Sequence, residues 1–117
     1  MRTTVLIVDD HAAFRGRARA LLEEEGFSVV GEAANGTSAL SEALRLRPDI
    51  ALVDIGLPDI DGFDVADGLR AAGTARVIVL VSGRSRADFG DRVGKSAADG
   101  FIAKADLCQE SLAALLA

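Results

Sequence analysis

Hydrophobic runs of strand length recur five times along the chain, and segments with helical spacing separate them. The runs are Val5–Val8, Ser28–Val30, Ile50–Val53, Val77–Val81 and Phe101–Ala103. This alternation is typical of β/α units. The three central runs are apolar at nearly every position, as strands are when helices cover both faces of a parallel sheet. Because crossovers between parallel strands are right-handed, the pattern predicts a doubly wound α/β fold with a five-stranded parallel sheet.

Four of the segments that follow these hydrophobic runs have the spacing of helices with one apolar face. The first ends at Gly26, the second at Pro48, and the third runs from about Gly62 to Gly73. The last would begin with Asp106 as N-cap, with Gln109 at the capping-box position. The inward positions predicted for these helices are, in order, Phe14, Ala18, Leu21 and Leu22; Leu40, Ala43 and Leu44; Phe63, Val65, Ala66 and Leu69; and Leu107, Leu112, Leu115 and Leu116.

The segment after the fourth strand breaks this pattern. Gly90 and Gly94 fall inside the fourth helix, where each glycine costs about 1 kcal/mol relative to alanine. Its apolar residues, Phe89, Val93 and Ala97, form a single thin stripe. The sequence therefore predicts a short, frayed or mobile fourth helix.

Length and composition favour one domain over residues 1–117, with a real hydrophobic core. No run approaches the roughly 18 uninterrupted apolar residues of a membrane span, and no secretion signal is visible at the N-terminus. The single cysteine, Cys108, cannot form an intramolecular disulfide, which suits a reducing compartment. We therefore expect a cytoplasmic protein that does not enter membranes.

The formal net charge of −5 argues against nucleic-acid binding by this chain alone, because such binding rests on phosphate neutralisation. The basic residues also do not form one block. Arg15, Arg17 and Arg19 share the first predicted helix, and Arg84 and Arg86 lie in a predicted loop. We expect these arginines to belong to solvated faces.

Acidic residues follow two of the buried strands. Asp9 and Asp10 end the first strand and Asp54 ends the third, and strand ends at one edge of a parallel sheet line a single crevice. Three converging carboxylates suit Mg²⁺, which prefers oxygen ligands. The alternative is structural: Asp10 would cap a helix and Asp54 would open a turn.

A hydroxyl and an ammonium group follow two further strands. Ser82 ends the fourth strand and Lys104 the fifth, and both would open on the same edge as Asp54. Together they could bind phosphoryl oxygens. Taken singly, each is more often a turn residue or an ordinary exposed lysine.

Taken together, these motifs resemble the response-regulator receiver domains of two-component signalling. The matching residues span the chain: Val8-Asp9-Asp10, Asp54 with Leu57-Pro58 and Asp61-Gly62, Ser82-Gly83, and Gly100-Phe101-Ile102-Ala103-Lys104. The resemblance implies a flavodoxin-like (βα)5 fold with strand order 2-1-3-4-5. It also implies that Asp54 is the phosphoacceptor, that Ser82 binds the phosphoryl group and that Lys104 pairs with it. Asp9, Asp10 and Asp54, with the backbone carbonyl of Gly56, would then hold Mg²⁺.

The resemblance further implies a switch, and not an enzyme of metabolic turnover. A sensor histidine kinase would donate the phosphoryl group, and the surface of the fourth helix, fifth strand and fifth helix would change and could form a homodimer. Phe101 lies where the family places a rotating aromatic; the alternative is a plain core phenylalanine. Asp9-Asp10-His11 with Phe14-Arg15 looks like receivers that precede a helix-turn-helix domain, so a stand-alone receiver and part of a transcription regulator both remain open.

Two other functions are alternatives. A metal-dependent phosphohydrolase of the haloacid dehalogenase type requires a second aspartate two residues beyond its nucleophile, where this chain has Gly56. A receiver-like interaction module that works without phosphorylation would lack an acid, the hydroxyl or the lysine, and none is missing. A lone histidine beside a crevice is more often a first-turn helix residue, so the predicted site does not include His11.

Overall fold

Five parallel strands form one sheet in the order β2-β1-β3-β4-β5. The structure is a computed structural model that describes residues 2–108, 110 and 111. The strands are β1 Thr4–Val8, β2 Ser28–Ala33, β3 Ile50–Asp54, β4 Val77–Ser82 and β5 Gly100–Ala103. The predicted flavodoxin-like order 2-1-3-4-5 is confirmed.

Apolar residues of the strands alternate between two cores, one on each face of the sheet. In β1, Leu6 and Val8 enter one core while Val5 and Ile7 enter the other. The first core is shared with the second and third helices, and the second core with the first helix. Helices on both faces explain why the central strands are apolar throughout, and the doubly wound prediction is confirmed.

Three full-length helices connect the strands. They are α1 Ala12–Glu24, α2 Gly36–Leu46 and α3 Gly62–Ala72. α3 has the predicted buried face, and it ends at Gly73, whose φ of 64° lies in the left-handed region that glycine tolerates. α2 ends at Leu46, two residues before Pro48, and its C-cap Arg47 is also left-handed with φ 46°.

The predicted inward face of α2 was partly wrong. Leu44 is 59% exposed, whereas Gly36, Ala39 and Ala43 are the buried positions. A Cβ at Gly36 would collide with the side chain of Ile60, so the helix lies close to its neighbours. Small residues therefore face the core, and the larger Leu44 is rotated outward.

The helical part of the segment between β4 and β5 is short and broken, as the glycines predicted. It contains a 3₁₀ turn, Arg86–Phe89, and a four-residue helix, α4 Arg92–Lys95. Gly90 between them has a φ of 60°, which interrupts the helix. Val93 is the buried residue of α4.

The predicted N-cap of the last helix was wrong. Asp106 lies in a 3₁₀ turn, Lys104–Asp106, and Leu107 is extended. The N–H of Cys108 instead donates to the Oγ of Ser111 (3.0 Å), which places the start of the helix two residues later. Gln109, Leu112, Leu115 and Leu116 lie outside the described residues, so their predicted roles remain predictions.

Within the residues that the structure describes, no helix has both the length and the apolar character needed to cross a membrane.

Candidate functional site

The acidic residues that follow β1 and β3 meet at one edge of the sheet. Val8 of β1 pairs with Val53 of β3, so the next residues along each strand, Asp9 and Asp54, lie side by side. Ligand atoms of Asp9, Asp10, His11 and Asp54 all lie within 4.8 Å of one another. The convergence predicted from the strand ends is therefore present in the fold.

Lys104 reaches this cluster from the end of β5. Its Nζ lies 2.6 Å from Oδ2 of Asp9 and 3.8 Å from Oδ2 of Asp54. The same Nζ lies 4.5 Å from the ring centroid of Phe14 in α1, a cation–π contact that helps to hold it. In this structure the ammonium is thus closer to Asp9 than to Asp54.

Asp54 is 5% exposed and its carboxyl group lies among other charges. Burial raises its pKa above the usual value, and the neighbouring charge of Asp9 raises the pKa further. Lys104 and the backbone N–H of Gly56 act in the opposite direction. The pKa of Asp54 is therefore raised overall, and burial of the carboxyl group is the main cause.

The donor set fits a divalent cation such as Mg²⁺. Asp9 is completely buried, and its Oδ2 contacts the Lys104 ammonium. Asp10 adds a half-exposed carboxylate. Three carboxylates against one lysine leave a deficit of positive charge, and hard oxygen ligands are those that Mg²⁺ takes. Gly56 is exposed two residues beyond Asp54.

Ser82 is the last residue of β4 and is 6% exposed. It pairs with Ala103, the residue before Lys104, and its neighbour Val81 pairs with Asp54. Its Oγ accepts a hydrogen bond from the backbone N–H of Arg84 (3.0 Å). The hydroxyl is thus fixed at the strand end where the sequence placed it.

Sequence reasoning left His11 out of the site, but the structure brings its ring to the acids. Nδ1 lies 3.0 Å from Oδ1 of Asp9 and 3.1 Å from Oδ1 of Asp10, and the side chain is 67% exposed. His11 precedes α1 and does not cap it through its side chain. Its position directly after the acid pair was the available signal.

Two of the arginines predicted to lie on solvated faces have structural contacts. Arg15 donates to the backbone carbonyl of Asp9 (2.7 Å) and to Glu32 (3.0 Å), and Arg19 donates to Glu32 (2.8 Å). That prediction was wrong for this pair because Glu32 of β2 faces α1. Arg17, Arg84 and Arg86 are exposed, as expected.

Three phenylalanines form a contact chain beside the site. Phe89 lies 6.0 Å, between ring centroids, from Phe63 of α3 and also from Phe101 of β5. Phe101 is partly buried and packs against the core shared with α2 and α3. Its rotation remains a prediction.

Residues 5–116 match the family model described as the response regulator receiver domain. The chain belongs to the response-regulator receiver family. The receivers are signalling domains of two-component systems, so the predicted family and class of function are confirmed. The roles predicted for the acids at the ends of β1 and β3, for Ser82 and for Lys104 remain predictions.

Relatives of this receiver include transcription regulators. A protein of Pseudomonas aeruginosa described as a transcriptional regulator is 41% identical over 94% of this chain and 53% of its own length. BvgA of Bordetella pertussis, described as a positive transcription regulator of virulence factors, is 38% identical over 89% of this chain and 50% of its own length. The chain therefore spans about half the length of these relatives.

Solved structures agree with this assignment. A receiver domain of a modulated diguanylate cyclase from Desulfovibrio desulfuricans has a TM-score of 0.84 and 32% identity, and the match covers 99% of this receiver and 91% of that chain. A LuxR-family response regulator from Aurantimonas has a TM-score of 0.84 and 27% identity, over 99% and 86% of the two chains.

Proposed function

We propose that this receiver accepts a phosphoryl group on Asp54 from a phosphohistidine of a sensor histidine kinase. The observation that carries the proposal is the convergence of Asp9, Asp10, Asp54 and Lys104 at one edge of the sheet. A carboxylate can act as a nucleophile toward phosphorus when nearby cations offset the charge of the incoming group. Asp54 is buried and lies at the centre of these groups.

In the proposed reaction an Oδ atom of Asp54 attacks phosphorus while the bond to the histidine nitrogen breaks. Lys104, 3.8 Å from Oδ2 of Asp54, neutralises one oxygen of the transferred group. The Ser82 hydroxyl donates a hydrogen bond to another. When bound, Mg²⁺ would supply further charge neutralisation. Asp9, Asp10, Asp54 and the carbonyl of Gly56 would hold the ion.

Phosphorylation would act as a switch through the segment after Ser82. In the unphosphorylated form, Ser82 Oγ accepts from the N–H of Arg84. Turning the hydroxyl toward a phosphoryl oxygen would reorganise residues 83–98, which contain the broken fourth helix. Phe101 packs on Phe89 in this segment and would rotate with it. Local charge changes that bias a weakly held element are a general means of signalling.

The switched surface would be that of α4, β5 and the last helix, and it would bind a partner, a second copy or an output domain. Because the related regulators are about twice as long as this chain, transcription regulation through a DNA-binding domain outside these residues is part of the proposal. The receiver itself would not bind nucleic acid, would not insert into membranes and would work in the cytoplasm without substrate turnover.

The test is an intact-mass measurement after incubation with Mg²⁺ and acetyl phosphate. Wild type should gain one phosphoryl group, and Asp54→Asn should gain none. Asp61→Asn is the matched control, because Asp61 is an aspartate near the site that caps α3, a role asparagine can retain. No adduct on rapidly quenched wild type would favour an interaction module that works without phosphorylation. Steady release of many phosphates per protein would favour the phosphohydrolase.

A further inference from the structure

Arg15 makes the contact that fixes the peptide between Asp9 and Asp10. Its Nη1 donates to the Asp9 carbonyl oxygen (2.7 Å) and its Nε donates to Oε1 of Glu32 (3.0 Å). The Arg15 side chain is 19% exposed, so both bonds are shielded from water on one side. The planar guanidinium presents its donors at fixed angles, which orients the carbonyl relative to β2.

Glu32 is in turn held by a second arginine. Oε2 of Glu32 accepts from Nε of Arg19 (2.8 Å), so the carboxylate receives one donor on each oxygen. Hydrogen bonds from Arg19 lower the pKa of Glu32 most, and those from Arg15 add to the effect. Glu32 therefore stays ionised and provides a fixed anchor for Arg15.

The acid that depends on this anchor is Asp10. The Asp9 carboxylate is itself buried and held by His11 and Lys104, and the Asp9 N–H donates to Ala33 of β2 (3.0 Å). The described charge contact of Asp10 is with the exposed ring of His11 (3.1 Å). The direction of its side chain therefore follows from the Asp9–Asp10 peptide, whose carbonyl Arg15 holds.

We infer that Arg15, anchored by Glu32, is a positioning residue that orients Asp10 for binding a divalent cation. The inference rests on the proposed function, since it concerns the same metal site. Arg15 touches neither the cation nor the phosphoryl group and acts through the backbone. A positioning role and a purely electrostatic role of Arg15 predict opposite changes in cation affinity. Deleting a positive charge near three carboxylates should tighten cation binding, whereas loosening Asp10 should weaken cation binding.

The experiment is calorimetric titration of the full chain with MgCl₂, after removal of bound metal. Arg15→Gln should raise the Mg²⁺ dissociation constant by about tenfold, the size of effect typical for residues that orient metal ligands. Arg15→Lys keeps the charge but loses the planar guanidinium that donates to both Asp9 and Glu32. Its affinity for Mg²⁺ should therefore lie between that of Arg15→Gln and that of wild type. Circular dichroism melts would set a temperature at which every variant is folded.

A charge-matched control separates positioning from a general loss of charge. Arg17→Gln removes an exposed charge from the same helix and should change the dissociation constant by less than about twofold. Equal or tighter Mg²⁺ binding by Arg15→Gln, or equal weakening by Arg17→Gln, would overturn the inference. Failure of wild type both to bind Mg²⁺ and to form the Asp54 adduct would overturn the proposed function instead.

Discussion

Gly62 lies against the backbone that carries Asp54. A Cβ at this position would be 2.5 Å from the carbonyl oxygen of Asp54 and 2.6 Å from the Cα of Ile55. The Gly62 N–H also donates to the carbonyl of Ile55 (2.8 Å). The missing side chain allows α3 to begin directly beneath the end of β3, so the position of Asp54 depends on a glycine eight residues away.

Gly62→Ala should destabilise the fold by about 1–3 kcal/mol, because the added methyl overpacks a site bounded by backbone that cannot rotate away. The Asp54 adduct should also form more slowly, since the end of β3 must shift. Urea unfolding and time-resolved intact mass would measure the two effects. An alanine variant as stable and as reactive as wild type would contradict this account.

Gly16→Ala is the matched control. Gly16 lies inside α1, where a Cβ would meet nothing within 4 Å. The substitution should stabilise the protein by about 0.5–1 kcal/mol, because alanine is the better helix former. The same urea titration would show whether the two glycine variants move in opposite directions.

At the scale of single residues, the sequence predicted the site residues at the strand ends but not the residues that hold them in place. The site residues at the strand ends follow or end apolar runs, and such a pattern can be recognised in a short stretch of sequence. These residues are Asp9, Asp54, Ser82 and Lys104. The contact of Arg15 with the Asp9 carbonyl depends on how α1 packs beside β2, which no local pattern encodes. Most arginines on helices are exposed to solvent, so the sequence alone favours a solvated Arg15.

Asp59 holds the start of α2 from another part of the chain. Its carboxylate accepts hydrogen bonds from the N–H groups of Gly36 (2.7 Å) and Thr37 (2.9 Å) and from the Thr37 hydroxyl (2.7 Å). The hydroxyl and the two N–H groups lower the pKa of Asp59 far below its usual value. A residue of the loop after β3 therefore satisfies free donors at a helix N-terminus.

Asp59→Asn should lower the stability at neutral pH, and the gap should close in acid. Because the pKa is lower in the folded than in the unfolded state, the carboxylate stabilises the fold above the unfolded pKa of about 3.9. That contribution is lost as the pH falls below this value toward the folded pKa. Urea unfolding of wild type and variant across this range would show the closing gap.

Asp67→Asn is the control for this pH effect, because Asp67 is exposed on α3. It should change stability little at either pH. A gap between wild type and Asp59→Asn that does not vary with pH would mean that the ionised form of Asp59 carries no special stabilisation.

The segment 86–96 should exchange its amide hydrogens far faster than β3 and β4. It contains a 3₁₀ turn and a four-residue helix in which Val93 is the buried residue, whereas every residue of β3 is buried. Elements with few buried contacts open locally at low free-energy cost. Hydrogen exchange read by mass spectrometry would test this, and full protection across the segment would contradict it.

At the scale of elements, the sequence predicted which strands and helices exist and their order along the chain better than it predicted which face of a helix is buried. The five strands and the broken fourth helix follow from apolar runs and glycines. The face of α2 did not, because Leu40 and Leu44 are apolar while the helix is seated through Gly36, Ala39 and Ala43. Close packing of small residues against neighbouring elements is a tertiary property.

The fold brings together the ends of β1, β3, β4 and β5. A cation bound there should raise the free energy of unfolding of the whole molecule. At ten times its dissociation constant, Mg²⁺ should add about 1.4 kcal/mol, since a ligand of the folded state shifts unfolding by mass action. Thermal unfolding with MgCl₂, against NaCl of equal ionic strength, would measure the gain. Asp10→Asn should lose most of it; an equal gain in NaCl or in the variant would argue against a specific site.

The order of these strand ends along the chain also affects how the protein is made. Asp9, Asp10 and Asp54 all precede Lys104, the cation that lies 2.6 Å from Asp9, by at least fifty residues. A ribosome therefore delivers the three carboxylates long before the ammonium that offsets them. A growing chain that ends at β4 would carry an acidic edge without its lysine. The contact between Lys104 and Asp9 can form only after nearly the whole receiver has been synthesised.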